Sequence, residues 1–367
     1  MATDEQLEAI RARIDDIDGQ LLSLISDRAR CAQEVAEIKL AAVQSDPQAS
    51  PLFYRPEREA QVLRAIHEKN PGPLPGDYMV RIFREIMSSC LALEKPLTVA
   101  FLGPVGTYTQ AAARKHFGQS ALPQAQSSIQ GVFREVEERR CDFGVVPVEN
   151  STEGMIGQTL DCFLESPLHI VGEVELPVVH HLFVGLTTGD GEIMKICGHP
   201  QALAQCRTWL ETHLPQVPLE QVASNGEAAR RAQSESGVAA IAGDIAAEMY
   251  TLEKREVSIQ DYASNTTRFL VLGRDFVPAS GQDKTSVIIA SRNRPGALLN
   301  LLRPFENAGI SLTRIDSRPS KTEKWTYVFY IEFEGHLEDQ IVDKIMNELE
   351  EQSIMLKRLG SYPCAPI

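Results

Sequence analysis

The first 42 residues carry an uninterrupted helical pattern, which limits the fold more than any other feature of this sequence. Positions in alternating steps of three and four are apolar, with one arginine among them: Leu7, Ile10, Ile14, Ile17, Leu21, Leu24, Arg28, Cys31, Val35 and Ile38. This spacing predicts a helix that packs along its whole length. From about Asp4 to Ala42 it would extend roughly 55 to 60 Å. Because a domain of this size is narrower than that, the helix needs a partner chain.

Two shorter helices follow in the sequence. After a break at Ser45-Asp46-Pro47, the pattern predicts a helix from Pro56 to about Lys69 and, beyond a Pro/Gly turn, a third from Asp77 to about Glu94. One face of the third helix carries Val80, Phe83, Met87, Cys90 and Glu94. Residues 1–95 are therefore expected to form an all-helical domain with a carboxyl group on an apolar face.

Charged side chains occupy packing positions of these helices. Arg28 falls on the apolar seam, Lys39 lies about 20° away from it, and Arg11 lies about 80° to 100° from both, so Arg11 would serve a different pocket. Each cation alone could extend its head into solvent. Burying an arginine on the seam and a glutamate on an apolar face costs free energy unless the two side chains share a binding partner. The pattern favours a pocket for an anion.

This segment resembles the all-helical chorismate mutases. The resemblance implies an intertwined dimer. In its pocket, Arg28, Lys39 and Arg58 would bind the substrate's carboxylates and ether oxygen, together with Arg11 of the other chain. Glu59 would bind the ring hydroxyl. A pericyclic rearrangement needs only a compact conformer and positive charge at the breaking ether bond. Three further pocket residues depart from the commonest pattern: Arg55 replaces an Asp, Cys90 a small hydroxyl residue and Glu94 a Gln, and Glu94 can donate a hydrogen bond only when protonated.

Residues 96–280 alternate short apolar strands with helices. Strands are predicted at Leu97 to Leu102, Cys141 to Val146, Ile170 to Glu175, Val178 to Leu186, Ile193 to Cys197, Val238 to Ala242 and Phe269 to Leu272. About 180 residues in this order suit a two-lobed α/β domain, like that of periplasmic binding proteins, with a ligand in the crevice between the lobes.

Three turns at strand ends in this segment are rich in hydroxyl groups. They are Gly106-Thr107-Tyr108-Thr109, the stretch from Pro147 to Thr152, and Asn265-Thr266-Thr267-Arg268-Phe269. An arginine can bind a carboxylate through two parallel hydrogen bonds, and a threonine can donate a hydrogen bond. Both suit an anionic substrate whose leaving group needs a proton. Each turn alone would more often be capping chemistry. The glycine turn lacks both the Walker lysine and dinucleotide spacing.

Together these turns resemble prephenate dehydratase. The resemblance makes Thr267 the donor to the departing hydroxyl, Arg268 either a carboxylate clamp or a group that orients the strand entrance, and Phe269 a packing wall. Thr107, Asn150 and Ser151 would add polar contacts to the substrate. The order of domains agrees with this interpretation, because prephenate is the product of chorismate mutase.

Residues 281–367 follow a βαββαβ order, which predicts a ferredoxin-like α+β sandwich. Two segments, Gly296-Ala297-Leu298-Leu299 and Asp316-Ser317-Arg318-Pro319, resemble the GALV and ESRP segments of phenylalanine-sensing ACT domains. Without that resemblance they are a helix start and a turn. The resemblance implies a feedback site for L-phenylalanine at a dimer interface.

Composition excludes several classes of protein. A net charge of −14 disfavours nucleic acid, and seven cysteines without a CxxC pair argue against a disulfide framework or a zinc site. No apolar run approaches the roughly 20 residues of a membrane span, and the acidic start is unlike a secretory signal. We therefore expect a cytoplasmic protein without metal or cofactor, and without membrane or nucleic-acid partners.

The expected function is a bifunctional enzyme, homodimeric or larger, that converts chorismate to prephenate and prephenate to phenylpyruvate under inhibition by L-phenylalanine. Two alternatives stay open at the level of the sequence. One is a non-catalytic ligand sensor with a helical dimerisation arm. The other is a dehydratase that prefers arogenate, which differs from prephenate by one amino group.

Overall fold

A computed structural model of the chain describes residues 2–45, 53–152, 154–189, 191–292, 294–319 and 326–365. These residues form two compact units. The first takes the described residues of the ranges 1–55, 63–97 and 117–122, and the second takes those of 56–62, 98–116 and 123–367. The sequence-based boundary at residue 280 lies inside the larger unit, so the domain limits stay a prediction.

Helices α1 (Ala2–Ser45) and α3 (Gly76–Glu94) pack on each other in the first unit, and α2 (Pro56–Lys69) contributes residues to both units. The all-helical fold expected here is confirmed. The predicted break falls partly on residues 46–52, which lie outside the described residues. Ala36 of α1 is buried, whereas the predicted seam is exposed in this single chain, from 42% at Val35 to 70% at Ile38. The apolar stripe of α1 is therefore not covered by the described residues of its own chain.

The first lobe of the larger unit is built on one mixed sheet. Its strands are β1 (Thr98–Leu102), β2 (Leu122–Gln126), β3 (Phe143–Asn150), β4 (Gly154–Met155), β5 (His169–Pro177) and, after the second lobe, β11 (Thr266–Gly273). The order across the sheet is β2-β1-β3-β11-β5, with β4 paired to β3. Three helices belong to this part of the chain: α4 (Tyr108–Phe117), α5 (Ile129–Glu137) and α6 (Gly157–Glu165).

The second lobe has its own five-stranded sheet. Its strands, β6 (His181–Val184), β7 (Lys195–Gly198), β8 (Leu219–Gln221), β9 (Val238–Ala242) and β10 (Glu253–Glu256), lie in the order β10-β6-β9-β7-β8. Its helices are α7 (Pro200–Gln205), α8 (Arg207–His213), α9 (Asn225–Ser234) and α10 (Asp244–Tyr250). The chain enters this lobe after β5 and returns before β11, which confirms the two-lobed α/β architecture.

The C-terminal domain is a four-stranded sheet with two helices. Its elements are β12 (Asp283–Arg292), α11 (Ala297–Ala308), β13 (Leu312–Pro319), β14 (Thr326–Glu334), α12 (Gln340–Gln352) and β15 (Met355–Pro363), with strand order β13-β14-β12-β15. This is the predicted ferredoxin-like sandwich. Ile289 and Phe333 pack with both helices, whereas Tyr330 and Tyr362 on the other face join the core of the first lobe. A single sheet thus separates the two helices from the first lobe.

None of the helices in the described part of the chain is long and apolar enough to cross a lipid bilayer.

Candidate active sites and effector site

Thr267 lies at the start of β11, opposite Asn150 at the end of β3. The Asn150 side chain donates hydrogen bonds to the Thr267 hydroxyl at 2.8 Å and to Asn265 Oδ1 at 2.9 Å. Its own oxygen accepts from the Thr152 backbone N–H at 3.0 Å, which fixes the orientation of the amide. A hydroxyl that accepts a hydrogen bond keeps its hydrogen for donation. The geometry therefore holds Thr267 as an oriented donor.

Two more predicted residues surround this pair. Ser151 Oγ accepts from the Thr266 backbone N–H at 2.9 Å, so the residue ties the two strand ends together. Phe269 is 1% exposed and belongs to the core of the lobe, as a packing residue should. The structure thus brings Asn150, Ser151 and Thr267 into one cluster at the strand entrance.

Thr107 lies at the same edge of the sheet, in the turn that follows β1. Strands β1 and β3 are parallel neighbours, so their carboxyl ends meet at this edge, where ligands of open α/β sheets bind. The Thr107 hydroxyl donates to the Leu102 carbonyl at 3.2 Å. In the same turn Gly106 has φ +83° and lies against Gly226 at the start of α9. A side chain at Gly226 would meet the Val105 carbonyl at 2.3 Å.

Sequence reasoning missed Asn225, which begins α9 at this junction between the lobes. Its Oδ1 is buried and has no hydrogen-bond partner among the described residues. The signal for the helix start was present, because Ser224 and Glu227 have capping-box spacing. Ser224 Oγ does accept from the Glu227 backbone N–H at 3.0 Å.

Arg268 faces away from Thr267, since adjacent residues of a strand point to opposite sides of a sheet. Its Nε donates to Glu173 at 2.8 Å, and its terminal nitrogen contacts both Glu173 and Glu332. Arg268 is 5% exposed, and two protein carboxylates already hold its guanidinium. Of the two roles that the sequence left open, the geometry favours orienting the strand entrance over clamping a substrate carboxylate.

The surroundings favour the charged forms of Arg268 and Glu332. Burial alone would lower the pKa of Arg268, but Tyr362, Glu173 and Glu332 raise it above the ordinary value. For Glu332, burial would raise the pKa, yet the charge of Arg268 and the hydroxyl of Thr313 hold it below the ordinary value. Lys284 Nζ adds a second cation, 2.8 Å from Glu173. Two positive and two negative side chains therefore share one buried site.

The segment that links the two lobes carries a pair of histidines. The Tyr108 hydroxyl donates to the Val179 carbonyl at 2.6 Å and lies 3.3 Å from His180 Nδ1. On the other side of the ring, His180 Nε2 is 2.8 Å from Gln205 Oε1. Burial lowers the pKa of both His180 and His181. These contacts tie the linking segment to both lobes.

In the first unit, Lys39 of α1 and Glu94 of α3, which the family resemblance assigns to one pocket, lie next to each other. Lys39 Nζ lies 3.2 Å from Glu94 Oε2, with the two side chains 25% and 10% exposed. The same ammonium donates to the Phe53 carbonyl at 3.3 Å and lies 5.3 Å from the Phe53 ring centre. Cys90, on the same face of α3, is buried. A cation and a carboxyl group thus share a partly enclosed site.

The other predicted residues of this pocket are more open. Arg11, Arg28, Arg55 and Arg58 are exposed in the single chain, and Glu59 is half-buried. Arg11 and Arg28 lie on α1 together with the uncovered apolar seam. A second chain on that seam would also lie close to the seam arginine.

A cavity of about 380 Å³ opens on the helical side of the C-terminal sheet. Its lining includes the predicted Gly296, Ala297, Leu298 and Ser317, and also Ser291, Arg294, Leu299, Tyr327 and Phe329. Gly296 has φ +78°, a conformation that favours glycine at the start of α11. The sequence did not single out Tyr327 and Phe329, because both lie outside the two motif segments.

The remaining predicted effector residues are not among those that line the cavity. Arg318 donates to the Gly157 carbonyl at 2.8 Å and lies 3.1 Å from Asp161 of α6, and Asp316 lies 4.0 Å from Arg318. Pro319 ends strand β13. Arg314 of the same strand contacts Glu149, next to Asn150. These arginines connect β13 to the first lobe.

Family models match three successive segments of the chain. They are chorismate mutase type II over residues 10–95, prephenate dehydratase over 99–276 and the ACT domain over 285–351. Two curated relatives match along the whole length, each with 100% of both chains covered. The bifunctional chorismate mutase/prephenate dehydratase of Pseudomonas aeruginosa is 53% identical over 365 residues, and that of Stutzerimonas stutzeri is 54% identical over 365.

A solved structure agrees with the fold of the larger part of the chain. The prephenate dehydratase from Arthrobacter aurescens, solved in complex with L-Phe, is 30% identical and superposes with a TM-score of 0.66. The match covers 73% of this chain and 90% of that one.

Proposed function

The chain belongs to the family of bifunctional chorismate mutase/prephenate dehydratases, and on that premise we propose how its residues carry out the two reactions. The observation that carries the proposal is the 2.8 Å hydrogen bond from Asn150 to Thr267 at the strand entrance. It supplies the oriented donor that the dehydration needs. The family assignment also favours an enzyme over the alternative of a non-catalytic sensor.

In the dehydratase reaction, the bond between the ring and its carboxylate breaks and releases CO₂. The electron pair of that bond completes the aromatic ring while the ring hydroxyl leaves, and a proton converts that hydroxyl to water. Thr267 donates its hydrogen bond to the departing hydroxyl, where negative charge develops. Asn150 fixes the Thr267 hydroxyl from the other side. Thr107 and Ser151 line the same edge and contact the substrate.

In the mutase reaction, a carbon–oxygen bond breaks as a carbon–carbon bond forms within one molecule, so no base or nucleophile is needed. Lys39 donates to the ether oxygen as it gains electron density, and Glu94 beside it can donate only when it carries a proton. Arg28 and Arg58 hold the two carboxylates, and Arg11 comes from the partner chain. Cys90 and Arg55 complete the wall of the pocket, and Glu59 binds the ring hydroxyl.

The cavity beside Ala297 and Phe329 is the site for L-phenylalanine. Its size, about 380 Å³, suits one amino acid, because small-ligand pockets begin at roughly 300 Å³. Ser291, Ser317 and Arg294 supply polar groups for the ammonium and carboxylate, and Tyr327 and Phe329 supply aromatic contact. Occupancy of this cavity inhibits the dehydratase.

The enzyme is a homodimer, and its occurrence in the cytoplasm follows from this biosynthetic role. The uncovered seam of α1, with Ile10 56% and Leu24 65% exposed, supports a second copy of the same helix as its partner. Burial of such side chains contributes about 1.5 to 3 kcal/mol each. The dimer also brings Arg11 of one chain to the pocket of the other.

An assay of the purified full-length protein with chorismate tests the proposal. Prephenate and phenylpyruvate are followed separately, with and without L-phenylalanine. The expected result is that both products form, and that L-phenylalanine suppresses phenylpyruvate. Formation of neither product contradicts the proposed function. Parallel reactions with prephenate and arogenate establish which of these substrates the dehydratase prefers.

A further inference from the structure

The buried cluster around Arg268 joins the catalytic strand to the C-terminal domain. Arg268 follows Thr267 in β11, and its partner Glu332 belongs to β14. Glu332 also accepts hydrogen bonds from Tyr362 at 2.8 Å and from Thr313 at 2.6 Å. Glu332 is 7% exposed and Tyr362 fully buried. These side chains are shielded from water, where charged contacts and hydrogen bonds are stronger. Several such contacts therefore hold Glu332 and Arg268 in place.

The same strand β14 also lines the effector cavity. Tyr327 and Phe329 face the cavity, whereas Tyr330 and Glu332 face the first lobe, where the Tyr330 hydroxyl donates to the Leu160 carbonyl. Side chains alternate between the faces of a strand, so one strand presents aromatic groups to the effector and a carboxylate to Arg268. A shift of this strand on ligand binding would move Glu332.

The position of Thr267 depends on how the start of β11 is held. The pairing of β11 with β3 shifts register between Arg268 and Phe269, whereas its pairing with β5 is regular from Thr266 to Val271, so the strand is irregular only on the side of Asn150. The ion pairs of Arg268 with Glu173 and Glu332 fix the strand at this irregularity. Loss of one partner from a buried charged pair leaves an uncompensated charge, which is strongly unfavourable.

We propose that Glu332 is a positioning residue for the dehydratase: it holds Arg268 so that Thr267 faces Asn150, and it carries the effect of the occupied cavity to the catalytic strand. This inference rests on the proposed function, since it concerns the dehydratase site and its effector. Glu332 does not touch the substrate. It acts through Arg268.

The test compares full-length wild type with Glu332→Gln, Glu332→Asp and Glu334→Gln. The first removes the charge at nearly constant shape, and the second keeps the charge. Glu334 lies two residues further along the same strand but is exposed, so its substitution is the matched control. Dehydratase kcat and KM, the L-phenylalanine concentration for half inhibition, and mutase activity are measured on each protein.

The inference predicts that Glu332→Gln lowers dehydratase kcat by about 10- to 100-fold, as a small misplacement of a catalytic group does. KM changes less than kcat, and mutase activity equals that of the wild type. The half-inhibition concentration rises at least about fivefold, a typical allosteric coupling. Glu332→Asp, which keeps the charge, shows a smaller loss of kcat and a smaller rise in the half-inhibition concentration than Glu332→Gln. Glu334→Gln matches the wild type.

A double substitution sharpens the test. If Glu332 acts through Arg268, then Arg268→Gln with Glu332→Gln is no slower than Arg268→Gln alone. Independent, multiplying losses overturn the inference. So does a Glu332→Gln protein with wild-type kcat and wild-type inhibition, or one whose mutase and dehydratase activities fall together. A wild type that makes prephenate but no phenylpyruvate instead overturns the proposed dehydratase function, and the inference with it.

Discussion

Thr267 and Arg268 are neighbours in one strand but belong to opposite faces of its sheet. The Thr267 hydroxyl accepts from Asn150, whereas the Arg268 guanidinium contacts Glu173 and Glu332. The strand therefore presents the chemical donor on one side and its anchor to the C-terminal domain on the other. This alternation places the contact between Arg268 and Glu332 next to the proposed donor Thr267, on the opposite face of the sheet.

The seam of α1 leads to a prediction about assembly. Ile14 is 50% exposed in the single chain, and Ile14→Asp places carboxylates in the proposed apolar interface. Burial of unpaired charges costs several kcal/mol, so we expect a shift toward monomer in sedimentation velocity. Mutase activity falls at least about tenfold, because the pocket loses Arg11 of the partner chain.

Ser23→Asp is the control for that change, since Ser23 lies on the same helix but off the seam. This substitution should leave both the mass of the assembly in solution and the mutase rate unaltered. An Ile14→Asp protein that sediments like the wild type would show that α1 is not the interface.

The proposed role of Glu94 as a hydrogen-bond donor leads to a prediction about pH. A carboxyl group donates to the ether oxygen only when protonated, whereas an amide donates at every pH. We expect wild-type mutase kcat/KM to fall by up to about tenfold per unit of rising pH, and we expect Glu94→Gln to remove this fall. Glu37→Gln, at an exposed position of α1, should keep the wild-type profile. Identical profiles for wild type and Glu94→Gln contradict the assignment.

The burial of three histidines leads to a prediction about the stability of the larger unit in mild acid. Burial lowers the pKa of His169, His180 and His181 below the usual 6.5. The folded state therefore disfavours the proton that the unfolded state binds near pH 6.5. Their contribution to stability is fully present above that pH and is lost as pH falls through the lower folded values. Unfolding temperature should drop by several degrees between pH 7.5 and 5.

Tryptophan fluorescence can follow this unfolding, because both tryptophans fall within the sequence range of the larger unit. His180→Gln should make the unfolding temperature depend less on pH, and the exposed His213→Gln should not. An unfolding temperature that rises toward pH 5 would contradict the burial of neutral histidines.

The sequence predicted the fold where its signals were local. The long helix α1 follows from apolar spacing alone, and the strand Val238–Ala242 was predicted with its observed limits because it is a buried apolar run. Strands β8 and β10 were missed. Their sequences, Leu-Glu-Gln and Glu-Lys-Arg-Glu, lie at the edges of the second sheet and carry little apolar signal.

The pairing of distant charges was less accessible. Lys39 and Glu94 are separated by 55 residues, and their meeting was predicted only through a family resemblance. Arg268 lies 95 residues from Glu173 and 64 from Glu332. No local pattern indicates such partners, because the contact with Glu173 exists only after distant strands have paired, and the contact with Glu332 only after two sheets have packed. The partners of Arg268 were therefore visible only in the structure, where they favour the second of the two roles that the resemblance left open.

The most direct test of the account is the fate of chorismate in the full-length Thr267→Ala protein, with Thr267→Ser as the matched variant that keeps a hydroxyl. We expect Thr267→Ala to convert chorismate to prephenate at the wild-type rate and then to stop, so that prephenate accumulates. Thr267→Ser should form measurable phenylpyruvate. Phenylpyruvate formation by Thr267→Ala at the wild-type rate would contradict the account.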